Sequence, residues 1–229
     1  MAKVVYGPIV SDARKKIGGV VATKGHAGNF MRKKVSPIQP RTSAQRNVRA
    51  SFTAISKLWS GGLTGNVAGW NTLAKSTPKK DRFGQSVTMT GLQLFQSLSR
   101  NLATIGVSPV ITPPANLIAS SPGALTYVAS VGGPNLTVTE ANGITSAEYS
   151  VVYAGPQQSP GRMFVGKTYR YITKTIGAGA ALTTDIETLY VAKFGALIQG
   201  KQIPIHVKHI NATNGAAGIP VSVLAVVGA

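Results

Sequence analysis

The sequence predicts an α+β fold: a basic extended N-terminal arm, a small three-helix region and a C-terminal antiparallel β-sandwich. Three observations predict it. Residues 1–105 hold 17 Lys+Arg against Asp12 and Asp81, whereas residues 106–229 hold 7 against four acids. Apolar residues recur at helical spacing between about 43 and 105, and with period two beyond Pro109, Pro113 and Pro114.

Residues 1–41 are rich in Gly, Lys and Arg and lack sustained apolar periodicity. Gly18-Gly19, Gly25 and Gly28 break any helix, and Pro37 and Pro40 bias their neighbours toward extended backbone. Short β-like pieces at Ile17–Ala22 and Phe30–Val35 leave a small hairpin as the competing reading of an arm that gains its shape on a partner.

The helical region spans 42–106. Thr42 or Ser43 can cap a helix of about 43–59, because a short side-chain oxygen accepts a free N–H there. Val48, Phe52, Ile55 and Trp59 follow at spacings of four, three and four, one apolar stripe. Arg46, Arg49 and Lys57 lie off it, and Gly61-Gly62 stops the helix. Leu63-Thr64 opens a second helix with Val67, Trp70 and Leu73/Ala74 inward. Pro78-Lys79-Lys80-Asp81 reads as a turn. A third helix, about 90–105, turns Leu94/Phe95, Leu98, Leu102 and Ile105 inward before Gly106.

A Pro-rich linker, 107–115, leads to the sandwich, 116–229. Its expected strands are Leu125–Val131, Asn135–Thr139, Ala147–Ala154, Lys167–Lys174, Thr188–Phe194, Gln202–Asn211 and Val221–Val227, separated by Gly, Pro and Asn turns.

Composition narrows the function classes. With 43% hydrophobic and 13% charged residues, the chain can fill a core. The net +18 calls for a polyanion, an acidic protein surface or a crowded assembly. The absence of cysteine excludes disulfides, thiolate metal sites and a Cys nucleophile. No signal-peptide pattern and no run of about 18 apolar residues is present. The sequons at Asn135 and Asn211 are therefore read as chance.

Gly161-Arg-Met-Phe-Val-Gly166-Lys167-Thr168 matches the phosphate-loop pattern in letters. Such a loop must follow a buried strand and open into a helix. Here Gln-Gln-Ser-Pro precedes it and Tyr169-Arg-Tyr-Ile-Thr-Lys follows with strand alternation, so a turn and a strand are expected. His206 and His209 sit three apart, on opposite faces of a strand, and cannot share a metal; both are read as strand-surface residues. The carboxylates are only Asp12, Asp81, Glu140, Glu148, Asp185 and Glu187, which leaves little for acid–base catalysis. A Ser-His-Asp set stays open, although no Gly-x-Ser-x-Gly elbow exists. No catalytic, cofactor-binding or metal-ligating residue is assigned, and no cofactor is expected. The candidate contact residues are Arg14, Lys15, Lys16, Lys24, Arg32, Lys33, Lys34, Arg41, Arg46 and Arg49. Ten cations interleaved with glycines can track phosphates without reading bases, or can dock on acidic neighbouring subunits.

The strings Gly7-Pro-Ile-Val-Ser, Lys16-Ile-Gly-Gly19, Gly25-His-Ala-Gly-Asn-Phe-Met-Arg32, Trp70-Asn-Thr-Leu-Ala74 and Gly91-Leu-Gln-Leu-Phe95 with Arg100-Asn101 resemble a family of small proteins encoded in phage and prophage structural gene regions. Its most specific element is Pro-Arg-Thr-x-x-Gln-x-x-x-Arg, here Pro40 to Arg49. Tyr190-Val-Ala-Lys-Phe-Gly195 and Gly200-Lys-Gln-Ile203 are similar to the Ig-like ends such proteins carry. The resemblance implies virion context, with copies of the chain and other virion proteins as partners and no catalytic residues. The expectation is a capsid or capsid-associated (decoration) protein, made in the host cytoplasm, not an enzyme and without a membrane partner. A sequence-nonspecific nucleic-acid-binding protein that coats or condenses a genome is the alternative, and a tail component a further one.

Overall fold

The computed structural model describes residues 2–8, 10, 13–35, 38–63, 65–81, 83–131, 136–165, 168–179 and 181–228. It is an α+β fold, with helices and antiparallel sheets in two compact units. The first unit holds residues 1–97 and 111–113, the second 98–110 and 114–229. The division falls inside the third helix, not in the expected linker at 107–115.

In the first unit, β1 (Ala2–Val4), β2 (Lys15–Ile17), β3 (Val20–Gly25) and β4 (Gly28–Lys33) form one antiparallel sheet in the order β1-β4-β3-β2. This corrects the expected extended arm. The glycines that forbid a helix here make hairpin turns: Gly18, at φ 57°, turns β2 into β3, and Gly28, at φ 108°, follows the turn into β4. The backbone is thus satisfied within its own ladder. The four strands bury only Ala22, so the sheet has almost no core of its own.

Helix α1 (Ser43–Gly62) starts at the Thr42 cap, whose Oγ1 accepts the Gln45 N–H at 3.3 Å. Helix α2 (Val67–Ser76) buries Trp70 and Ala74. A small hairpin, β5 (Lys79–Lys80) and β6 (Ser86–Val87), follows. Helix α3 (Gly91–Ile105) opens on a capping box: Gln93 N–H donates to Thr90 Oγ1 and Thr90 N–H to Gln93 Oε1. Phe95 meets Trp59 at 5.7 Å and Trp70 at 5.3 Å, edge to face in the second case. Trp70 Nε1 donates to the Ile111 carbonyl at 3.0 Å.

The second unit holds two sheets around one core. One is ordered β10-β9-β12-β13 and the other β11-β8-β7, from β7 (Leu125–Ala129), β8 (Leu136–Glu140), β9 (Glu148–Ala154), β10 (Arg170–Ile176), β11 (Thr183–Asp185), β12 (Gln202–Asn211) and β13 (Val221–Val226). Leu136 and Val138 from one sheet pack with Val152, Ile172, Ile203, Ile205 and Ala225 from the other. On the outer face, Leu102 and Ile105 of α3 cover Val151 and Ile210.

The expected strand Thr188–Phe194 is instead α4 (Glu187–Phe194). Asp185 Oδ1 accepts the Glu187 N–H at 2.9 Å, Gly195 ends the helix at φ 90°, and Tyr190 and Phe194 stack one turn apart at 4.9 Å. The short β11 just before it pairs with β8 instead.

Candidate interaction surface

The ten predicted contact residues lie in the first unit and all are exposed. Arg14 precedes β2, which carries Lys15 and Lys16; Lys24 is on β3, Arg32 and Lys33 on β4, and Lys34 just beyond it. Arg41 precedes α1, and Arg46 and Arg49 stand on its first two turns. Strand pairing brings several together. Lys16 and Arg32 both pair with Val21, which puts them on one face, flanking the middle strand about 10 Å apart. Lys33 pairs with Val20 and Lys15 with Ala22, one residue to either side and so on the opposite face. Arg14, Lys15 and Lys24 line one groove of about 530 Å³ with Ala22 and Thr23. Lys15 holds φ 74°, a left-handed conformation that costs a non-glycine residue about 1 kcal/mol. Lys3, by contrast, is spent inside the unit, on Asp81 and on Gln85 Oε1. That contact holds the Asp81 carboxyl below its ordinary range.

No carboxylate occurs between residues 13 and 80. Over this stretch the chain therefore carries cations with no acid among them. It is also apolar in places: Ile17, Val35, Ile38, Val48, Phe52 and Phe83 are 58%, 66%, 92%, 54%, 46% and 61% exposed. The sequence placed Val48 and Phe52 on an inward stripe. The stripe exists, but only its C-terminal half, Ile55 and Trp59, meets the body. A helix with its lower half packed carries its upper half along.

The second unit holds a cluster that sequence reasoning missed. His209 lies on β12 at 0% exposure, not on the strand surface as expected. Its Nε2 bonds to Glu140 on β8 and its Nδ1 lies 2.6 Å from Ser120 Oγ. Glu148 takes both the Ser120 hydroxyl, at 2.7 Å, and the Ser120 N–H, at 2.8 Å. Glu140 also accepts the Ser150 hydroxyl. Two of the six carboxylates thus join one buried imidazole in a network, Glu140 directly and Glu148 through Ser120, which sequence separation hid. Ser120, His209 and Glu140 are in the order of nucleophile, base and orienting acid. The hydroxyl, however, is engaged on both sides and both ring nitrogens are taken, so the cluster clamps the segment at 120 to both sheets. His206 faces the other way, bonded to Ser222 at 2.8 Å with Tyr169 and Tyr153 beside it. Burial, and secondarily the charge of Lys208, hold its imidazole below the ordinary value.

A scan against protein-family models finds no match, and a search of curated proteins finds no significant relative. Function therefore rests on the surface itself.

Gly166 and Lys167 of the phosphate-loop pattern lie outside the described residues, as does Asn135 of its sequon. In its described part, Gly161 turns at φ 82°, Met163 and Phe164 are exposed, and the strand β10 follows where a phosphate loop requires a helix. Among the described residues, no helix is long and apolar enough to cross a membrane.

Proposed function

We propose that the chain is a structural component of a bacteriophage-type virion, a capsid or capsid-associated subunit, and not an enzyme. The observation that carries this reading is the first unit's surface: a cationic sheet that buries one residue and a helix that leaves half its apolar stripe in water. Val48 and Phe52, exposed one turn apart on one helix stripe, suit a surface that another molecule covers. The second unit supplies the opposite quality. Its two sheets share one apolar core and carry little charge, which supports reading it as an Ig-like sandwich suited to lateral packing against copies of itself or other virion proteins. The polar cluster at His209 fits a lock in that sandwich better than a nucleophile.

The test is to purify particles by density gradient from the host that makes them and to quantify this chain in the particle band. Stoichiometric chain that survives a 500 mM salt wash is expected. Chain that stays with the unassembled fraction overturns the proposal. A second reading, a protein that coats a genome, draws on the groove of Arg14, Lys15 and Lys24. It predicts release by nuclease and a steep fall of binding with salt.

A further inference from the structure

We propose that the first three turns of α1 are a docking helix for a different, acidic protein. Val48 and Phe52 enter an apolar groove on that partner, and Arg41, Arg46 and Arg49 meet carboxylates around it. The inference rests on the reading above, that the chain is an assembly subunit, and names the partner's chemistry.

The stripe Val48, Phe52, Ile55, Trp59 is continuous in sequence but divided in use. Its lower half is anchored: Ile55 is 4% exposed, Trp59 packs on Phe95, and Ser56 Oγ accepts from Gln96 Nε2 at 3.1 Å. Its upper half is bare, and no residue from Ser43 to Ala54 is buried. Anchored at one end only, these turns gain little from tertiary packing, the main source of helix stability in proteins. Charge adds a penalty. The first turn holds no acid, so Arg46, just after it, stands near the positive end of the helix dipole with no acid in that turn to offset it. An acidic surface removes both penalties at once, and a groove receives the stripe in the helix-in-groove manner.

The other occupants fit less well. A nucleic-acid backbone satisfies the arginines but leaves Val48 and Phe52 in water. A second copy can cover the stripe but lacks the carboxylates. Of six acids, Asp81 is paired with Lys3, and Glu140 and Glu148 are 1% and 6% exposed. The other three acids do not balance the 17 Lys+Arg of residues 1–105, so two copies of this cationic surface repel each other. Complementarity therefore selects a foreign acidic protein.

The experiment places the photo-reactive residue p-benzoylphenylalanine at position 52 of the full chain, cross-links within purified particles and identifies the product by mass spectrometry. The expected product joins residue 52 to a different protein, at a peptide where Asp or Glu flank apolar residues. Cross-links to another copy of this chain, to nucleic acid or to nothing, with the chain present in the particles, overturn this inference alone. A chain absent from particles overturns the earlier reading too. In parallel, Phe52→Ala and the pair Arg46→Glu with Arg49→Glu are expected to cut incorporation tenfold or more, as hot-spot truncations do. The same change at an apolar position of the other unit, Ile219→Ala (77% exposed), leaves incorporation unchanged. Unaltered incorporation of Phe52→Ala, with an unaltered melting curve, also overturns it.

Discussion

His209 shows how one side chain can hold a segment. It is wholly enclosed between Glu140 on one sheet and Ser120 on the chain that runs past the other, with Glu148 completing the network. Taking away one partner leaves a buried carboxylate unsatisfied, which costs far more than the pair gains. His209→Leu is expected to lower stability by about 3–5 kcal/mol, measured by denaturant unfolding. A double change with Glu140→Leu should recover part of that loss. His206, three residues away and facing outward, governs a pH effect. Its folded imidazole resists protonation, so the unfolded chain binds more protons as pH falls below the ordinary value of 6.5. Stability is therefore highest above that value and declines below it. His206→Gln, which can keep a bond to Ser222, is expected to flatten the decline in melting temperature between about pH 7 and about pH 5.

At the scale of the element, α1 separates two kinds of apolar residue on one stripe. Ile55→Ala removes a buried side chain and is expected to cost about 2–4 kcal/mol. Phe52→Ala removes a larger side chain from solvent and is expected to change the isolated protein's stability by no more than about 0.5 kcal/mol. Equal losses in thermal melts would mean that Phe52 is packed in solution. Helix α4 makes a contrasting case. Tyr190 is fully enclosed and its hydroxyl donates to the Gly155 carbonyl at 3.1 Å, while burial pushes its phenol well above the ordinary range. Tyr190→Phe leaves that carbonyl without this donor at constant packing, and a loss of about 1–2 kcal/mol is expected.

At the scale of the whole molecule, α3 belongs to both units. Its first turns carry Phe95 into the aromatic cluster with Trp59 and Trp70, and its last turns cover the outer face of the β10-β9-β12-β13 sheet with Leu102 and Ile105. Asn101 Nδ2 also donates to the Gly215 carbonyl at 2.9 Å, fixing those last turns to the loop after β12. A fragment beginning at Leu98 is expected to unfold cooperatively. One beginning at Pro114 bares Val151 and Ile210 and should melt at least 5 °C lower, by calorimetry; about 1 kcal/mol already shifts a domain of this size by roughly 4 °C.

Local signals determined the elements. Thr42 and the Thr90–Gln93 box set helix starts through backbone groups that neighbouring residues satisfy, whereas α1 runs through the expected Gly61-Gly62 stop to a cap at Leu63, and period-two runs set most strands of the second unit. The charge map was equally legible, because composition alone concentrates cations in the first hundred residues. Tertiary structure decided the rest, since it depends on what lies across space. Thr188–Phe194 alternates like a strand, yet Thr183–Asp185 pairs with β8 and the helix kept Tyr190 inside. The glycines of the first forty residues closed hairpins because strands were there to pair. Glu140 and His209, 69 residues apart, met only because two sheets closed on each other. Which half of the α1 stripe stays wet was likewise settled by where Phe95 stands, a fact no window along the chain contains.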